Sequence, residues 1–208
     1  SACRFFTVYS SLWCSTSATC DEDMPARVSS AVTFGVADSP WLPLSLSNAR
    51  QSSEDWGGAP GKAVDGRHEA HFQAGSCSHT AGGPDDPRPW WAAELPARAV
   101  VAAVRVLNRW ECCHDRLQNW EVRVGDDPDP WQNPACGPTQ PALAAGGQRA
   151  VACEGGGRSG RYVGVVMESA EPLTLCEVEA FELRDTLHAR PEAVDTPRLE
   201  NTLAALLE

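Results

Sequence analysis

Val100-Val101-Ala102-Ala103-Val104-Arg105-Val106-Leu107 runs directly into Asn108-Arg109-Trp110-Glu111-Cys112-Cys113-His114-Asp115-Arg116-Leu117. The first half is short, apolar and β-branched, which is the signature of a strand buried against a core. The second half turns polar and carries two consecutive cysteines between two arginines. Working outward, Trp120-Glu121-Val122-Arg123-Val124 alternates apolar and polar as a half-buried strand does. Arg161–Met167 and Leu175–Leu183 have similar strand character. Seventeen Gly and 16 Pro punctuate the chain between these runs. Many short strands with turn signals between them predict an all-β sandwich or jelly roll.

Composition narrows the function classes. The chain has 208 residues, enough for one domain of ordinary size with extensions. Its 17 Lys and Arg stand against 28 Asp and Glu, a formal net charge of -11. That balance argues strongly against nucleic acid as the main partner, because phosphate backbones require a basic face. No apolar run reaches the length of a membrane span. No signal peptide is visible at Ser1–Arg4. No nucleophile–base arrangement, paired catalytic carboxylates or phosphate loop is found, so the chain reads as a binding protein and not an enzyme.

Nine cysteines occur, at positions 3, 14, 20, 77, 112, 113, 136, 153 and 176. None forms the Cys-x2-Cys pair of common structural zinc sites. This usage points to disulfides and an oxidising compartment, so secretion or surface display is expected. An odd count leaves one thiol free or bridged to another chain. Should Cys112 and Cys113 bond to each other, they would close a small strained ring, since adjacent Cα atoms lie about 3.8 Å apart and ordinary disulfides begin near 4.4 Å.

Three regions follow. Residues 1–43 form an extension with three cysteines and a strand-like segment at Cys3–Tyr9. Residues 44–183 form the β domain. Residues 184–208 are a polar tail in which Thr196-Pro197 opens a helix with Leu199, Leu203, Leu206 and Leu207 on one face. The N-terminal cysteines and this helix are the expected routes to an oligomer or a protein partner.

Four segments occur in one order: Cys77-Ser78-His79, Pro89-Trp90-Trp91-Ala92-Ala93-Glu94-Leu95, Asn108–Leu117, and Leu175-Cys176-Glu177-Val178-Glu179. Together they resemble the F-type lectins, the fucose-binding lectin family first known from eel serum. Ala49-Arg50-Gln51-Ser52, Ala63-Val64-Asp65-Gly66 and Gly160-Arg161-Tyr162-Val163 extend the resemblance. It covers about residues 44–183 and implies a galactose-binding-domain-like jelly roll with one shallow sugar pocket.

By position, the resemblance implies that His79, Arg109 and Arg116 hold the fucose ring, with a Cys112–Cys113 disulfide against its apolar face. Arginine presents fixed donors suited to sugar hydroxyls and ring oxygen, and a neutral histidine can accept from a hydroxyl. The plainer reading is that the two arginines form surface ion pairs with Glu111 and Asp115. Phe72 matches a wall of the pocket. Trp110 and Glu111 replace the family's Gly and Asp, and Gln73 replaces a Tyr. The loop between Gln51 and Asp65 is about five residues short. The loop between His79 and Trp90 is about three residues longer. The implied disulfides are Cys77–Cys176, Cys112–Cys113 and Cys136–Cys153. A structural Ca²⁺ is implied at Lys62, Asp65, Arg67, Ser76, Cys176 and Glu177, where oxygen ligands suit that hard cation. The implied partners are fucosylated glycans. A second expectation is a lectin-fold structural or adhesion subunit whose sugar loops, with Trp110, grip another protein.

Overall fold

The structure, a computed structural model, describes residues 41–183, together with the backbone of three strands nearer the N-terminus: β1 (Phe5–Tyr9), β2 (Leu12–Trp13) and β3 (Val32–Gly35). Those three pair antiparallel in the order β2-β1-β3. The strand expected within Cys3–Tyr9 is thus β1. Cys3, Cys14, Cys20 and the C-terminal helix with its leucine stripe lie outside the described residues.

Trp41–Leu183 forms a compact unit of its own. It contains β4 (Trp41–Leu44), β5 (Ser47–Gln51), β6 (Ser78–His79), β7 (Trp90–Val101), β8 (Ala103–Leu107), β9 (Trp120–Gly125), β10 (Gln148–Ala152), β11 (Arg158–Met167), β12 (Thr174–Leu175) and β13 (Glu177–Leu183). Two antiparallel four-stranded sheets result, ordered β10-β8-β13-β4 and β5-β7-β11-β9, with β12-β6 as a short ribbon. They pack face to face as the jelly-roll sandwich that the alternating strands predict. Among the described residues no helix is long and apolar enough to cross a membrane.

The core lies between the sheets. One sheet contributes Val104, Val106, Val151, Val178 and Ala180; the other contributes Trp91, Ala93, Leu95, Val122, Val124, Val163 and Val165. Trp91 and Trp120 are fully buried. Burying side chains of this size is the largest local source of hydrophobic stabilisation. The Trp91 indole Nε1–H donates to Pro60 O at 2.9 Å, so its polar edge is satisfied and the loop above is anchored.

The single apolar run Val100–Leu107 is divided. β7 ends at Val101, and β8 begins at Ala103 in the opposite sheet. Ala102 is the corner: its N–H donates to Phe181 O and its carbonyl accepts from Cys153 N–H. Both sheets face one core, so the run stays apolar across the switch and its sequence shows no break. A similar break at Cys176 separates β12 from β13.

Among the described residues two disulfides are formed, Cys77–Cys176 across 99 residues and Cys136–Cys153 across 17. The first clamps the loop entering β6 to the β12–β13 junction, and all four sulfurs belong to buried residues. Loop closure of about 100 residues constrains the unfolded chain by about 4–5 kcal/mol.

The pairing of β11 with β7 shifts between Gly160 and Tyr162. A Cβ at Gly160 would lie 2.6 Å from the backbone N and O of Gly125 on β9's end. The close approach therefore requires glycine. Gly160→Ala is expected to lower unfolding free energy by about 1–3 kcal/mol, measured by urea denaturation; a midpoint equal to that of the parent chain would exclude this packing.

Candidate functional site

His79 ends the two-residue strand β6 and is held by backbone on both sides. Its N–H donates to Gly58 O at 2.8 Å, and its carbonyl accepts from Asp55 N–H at 3.1 Å. Gln51 Nε2 donates to both Gly58 O and His79 O at 3.0 Å. A Cβ at Gly58 would fall 2.4 Å from His79 Cβ, so this contact admits only glycine. His79 as a whole residue is 4% exposed, and its imidazole packs tilted against Phe72, with ring centroids 5.3 Å apart. Its Nδ1 has no hydrogen-bond partner among the described residues. Burial is the main force holding its pKa below the ordinary 6.5. The charges of Arg109 and Arg116 act the same way, while a hydrogen bond with the Thr80 backbone and the charge of Asp55 oppose them. His79 is therefore a neutral imidazole at pH 7.

Arg109 follows β8 through Asn108, whose side chain ties the loop together. Asn108 Nδ2 donates to His114 O and Leu143 O, and its Oδ1 accepts from Arg109 N–H. The Arg109 guanidinium is buried and pairs with Glu111 Oε1 at 2.9 Å. The same oxygen accepts from Phe72 N–H at 2.8 Å. Arg109 Cζ stands 4.9 Å from the centre of the Phe72 ring. Arg109 Nε is buried without a partner among the described residues. Partial burial works to raise the Glu111 pKa, but backbone N–H groups of Glu111 and Phe72, together with Arg109, hold its carboxyl below the usual range. Arg116 closes a 3-10 turn, His114–Arg116, and its Nε lies 3.3 Å from Glu171 Oε2. Of the two plain ion pairs anticipated, Arg109–Glu111 forms, in a buried setting; Arg116 pairs with Glu171 and not with Asp115.

The anticipated Cys112–Cys113 disulfide is corrected. Both are free thiols, Cys112 exposed and Cys113 half-buried. The peptide between adjacent cysteines resists the distortion that so small a ring demands. Here Cys113 takes a left-handed conformation, φ 58°, as it starts the 3-10 turn. The Cys112 thiol is hydrogen-bonded with Cys113, which together with slight burial raises its pKa.

A cleft of about 390 Å³ is lined by Trp56, Phe72, Gln73, His79, Arg109, Cys112, Cys113 and Arg116. The fold thus brings together His79, both arginines, both cysteines and Phe72, drawn from strand β6 and two separate loops. Trp110 and Glu111 do not line it. Trp110 is half exposed beside it, with its ring 5.6 Å from that of His71. Glu111 sits behind Arg109 as its counter-ion. Trp56 is the lining residue that sequence reading missed. The available signal was a lone indole in the polar stretch Glu54-Asp55-Trp56-Gly57-Gly58. Chemically, the cleft offers fixed guanidinium donors, one imidazole acceptor and aromatic walls, a set suited to an uncharged polyhydroxyl ring.

The expected cation ligands lie at a second location. Glu177 is 4% exposed, and its Oε2 has no partner among the described residues. Burial first, then the charges of Asp65 and Glu179, push its pKa up to about 8. Ser76 Oγ donates to Glu69 O at 2.7 Å and keeps lone pairs free. Lys62 Nζ donates to Gly57 O, and Arg67 N–H donates to Asp65 Oδ1. Among the described residues no group of three or more His, Cys, Asp and Glu gathers as a metal cluster. Two carboxylates with carbonyl and hydroxyl oxygens still fit a hard cation, and an unpartnered buried carboxylate oxygen beside a second acid is what such a cation would neutralise.

Residues 62–165 match the family model described as NedA-like, galactose-binding domain. The chain is 37% identical over 126 residues to Fucolectin-5 of Anguilla japonica, covering 60% of this chain and 64% of that protein. Fucolectin-1 of the same organism is 35% identical over 126 residues, covering 60% and 68%. The chain therefore spans about two thirds of the length of these relatives. The crystal structure of an F-lectin (fucolectin) from striped bass (Morone saxatilis) serum superposes with a TM-score of 0.62 at 30% identity, covering 69% of this chain and 50% of that one.

The unfolded chain takes up a proton at histidine near pH 6.5, whereas folded His79 does so only at lower pH. Its contribution to stability is thus present above 6.5 and lost as pH falls below it. His79→Gln is expected to remove that loss, seen as a smaller drop in unfolding free energy between pH 7 and pH 5 than in the parent chain. Equal drops in both proteins would refute the assignment.

Proposed function

The chain belongs to the F-type lectin (fucolectin) family, and from that premise we propose that it is an extracellular carbohydrate-binding protein recognising a terminal fucose in the cleft between His79 and Arg116. Its relatives are lectins, proteins that bind sugars and leave them unaltered. The observation carrying the proposal is that His79, Arg109 and Arg116 line one cleft together with the aromatic side chain of Phe72. Arg109 and Arg116 donate to the ring oxygen and a hydroxyl, and neutral His79 accepts from a hydroxyl. Phe72 and the Cys112 and Cys113 side chains form the apolar surface against the ring's C–H face. Glu111 keeps Arg109 in place and neutralises it, so it acts as a positioning residue.

Two buried disulfides support an extracellular setting, as does the serum source of the striped bass relative. A shallow single site reaches useful strength through multivalency, so fucosylated glycoproteins displaying many termini are the fitting partners. The second reading, an adhesion subunit gripping another protein, rests on half-exposed Trp110 beside the cleft.

Glycan-array binding is expected to rank fucose-terminated ligands first. In titrations with methyl α-L-fucopyranoside, Arg109→Ala and Arg116→Ala are each expected to weaken binding at least tenfold, a loss of about 1.4 kcal/mol or more. Affinity unchanged in both variants would reject the site.

A structural Ca²⁺ is the second part of the proposal, held by the Asp65 and Glu177 carboxylates, the Ser76 hydroxyl, and carbonyls of Lys62, Arg67 and Cys176. When bound, it supplies charge neutralisation linking these separated segments. The Lys62 ammonium is engaged with Gly57 O, which leaves its carbonyl for the ion. Thermal melting in calcium against chelator is expected to show a higher Tm with calcium, and Glu177→Gln is expected to abolish the difference. Identical melting curves of the parent chain in the two buffers would remove calcium from the account.

A further inference from the structure

Trp56 is 78% exposed, the highest value among the large hydrophobic side chains that remain open to solvent in the described unit. A single exposed apolar residue is ordinary on a protein surface, so exposure alone decides nothing. Three further observations set it apart. It lines the same cleft as His79 and Arg109. Its φ is 54°, a left-handed conformation that bulky residues avoid and that persists only where the surroundings impose it. And the loop that imposes it is fastened to the cleft's own histidine. Asp55 Oδ1 accepts from Trp56 N–H at 2.7 Å, Gly58 N–H donates to Asp55 O at 2.9 Å, and Lys62 Nζ donates to Gly57 O at 2.8 Å. Asp55 N–H and Gly58 O both bond the His79 backbone. The backbone of Trp56 is therefore anchored to that of His79, and among the described residues no ring packs on its indole.

A bare indole on an anchored backbone beside a polar sugar cleft has one clear use. Pyranose rings carry C–H faces that pack on aromatic rings, and aromatic side chains give large contact area at low entropic cost. Phe72 and the cysteines already supply the apolar surface for the terminal sugar. The cleft's volume of about 390 Å³ exceeds what one pyranose ring fills.

We propose that Trp56 is the platform of a second sugar subsite, stacking on the residue to which the terminal fucose is linked, so that the chain selects fucosylated oligosaccharides over the free monosaccharide. This deepens the fucose reading and rests on it. The experiment is isothermal titration of the full chain with methyl α-L-fucopyranoside, 2′-fucosyllactose and 3-fucosyllactose. The parent chain is expected to bind at least one of the trisaccharides about tenfold more tightly than the monosaccharide. Trp56→Ala is expected to collapse that ratio to about one, and Trp56→Phe to retain most of it. Circular dichroism and melting confirm that each variant is folded. A parent ratio near one for both trisaccharides, or a Trp56→Ala ratio equal to the parent's, overturns the subsite while the fucose reading stands. Absence of binding to all three probes by the parent chain defeats the fucose reading, and the subsite with it.

Discussion

The ion pair between Arg109 and Glu111 is the interaction on which the cleft depends. A guanidinium as buried as that of Arg109 is costly unless a carboxylate neutralises it at close range. Glu111 does this with the same oxygen that accepts the Phe72 N–H. One carboxylate therefore welds the loop after β8 to the loop before β6. It fixes the guanidinium over the Phe72 ring, and Phe72 in turn packs on His79. Arginine, aromatic ring and imidazole are thus spaced by a single charge that never enters the cleft. The Glu in place of the family's Asp is the residue this geometry uses.

Behind that weld stands the β-sandwich scaffold. The two sheets meet over a core with fully buried Trp91 and Trp120, and Cys77–Cys176 binds the β6 loop to the far end of the chain's second half. The chain changes sheets at Ala102, which brings Arg109 out at the end of β8 on the same rim as His79. The cleft residues lie on loops, where variation is tolerated, while their positions are set by strands, where it is not. This division explains how the site can carry Gln73 and Trp110 while the sandwich beneath it remains that of its relatives.

Much of this was legible in the residues. β9 and β11 show their period, and the ordered segments around His79, Trp91, Arg109 and Glu177 identify the family and the residues that meet in the cleft. What was not legible has physical causes. The Ala102 corner hides because both halves of Val100–Leu107 face one core, so no polar residue marks the turn. The Arg116–Glu171 pair joins residues far apart in sequence and depends on the finished fold. Trp56 was overlooked because its place at the cleft follows from a left-handed backbone and a glycine contact with His79, neither of which is written in its neighbours' hydropathy. The state of Cys112 and Cys113 is chemical, and a letter in a sequence does not specify oxidation.

That last point reaches into the handling of the molecule. The two unbridged sulfurs border the cleft, and a hydrogen bond with its neighbour raises the pKa of the Cys112 thiol. Thiolate is the reactive species, so alkylation at Cys112 proceeds slowly; once attached, even a small carbamidomethyl group would occupy space in the cleft. Preparations exposed to iodoacetamide, and those spared it, would then be different proteins at the one surface where it matters, although their masses differ by little and their melting curves need not differ at all.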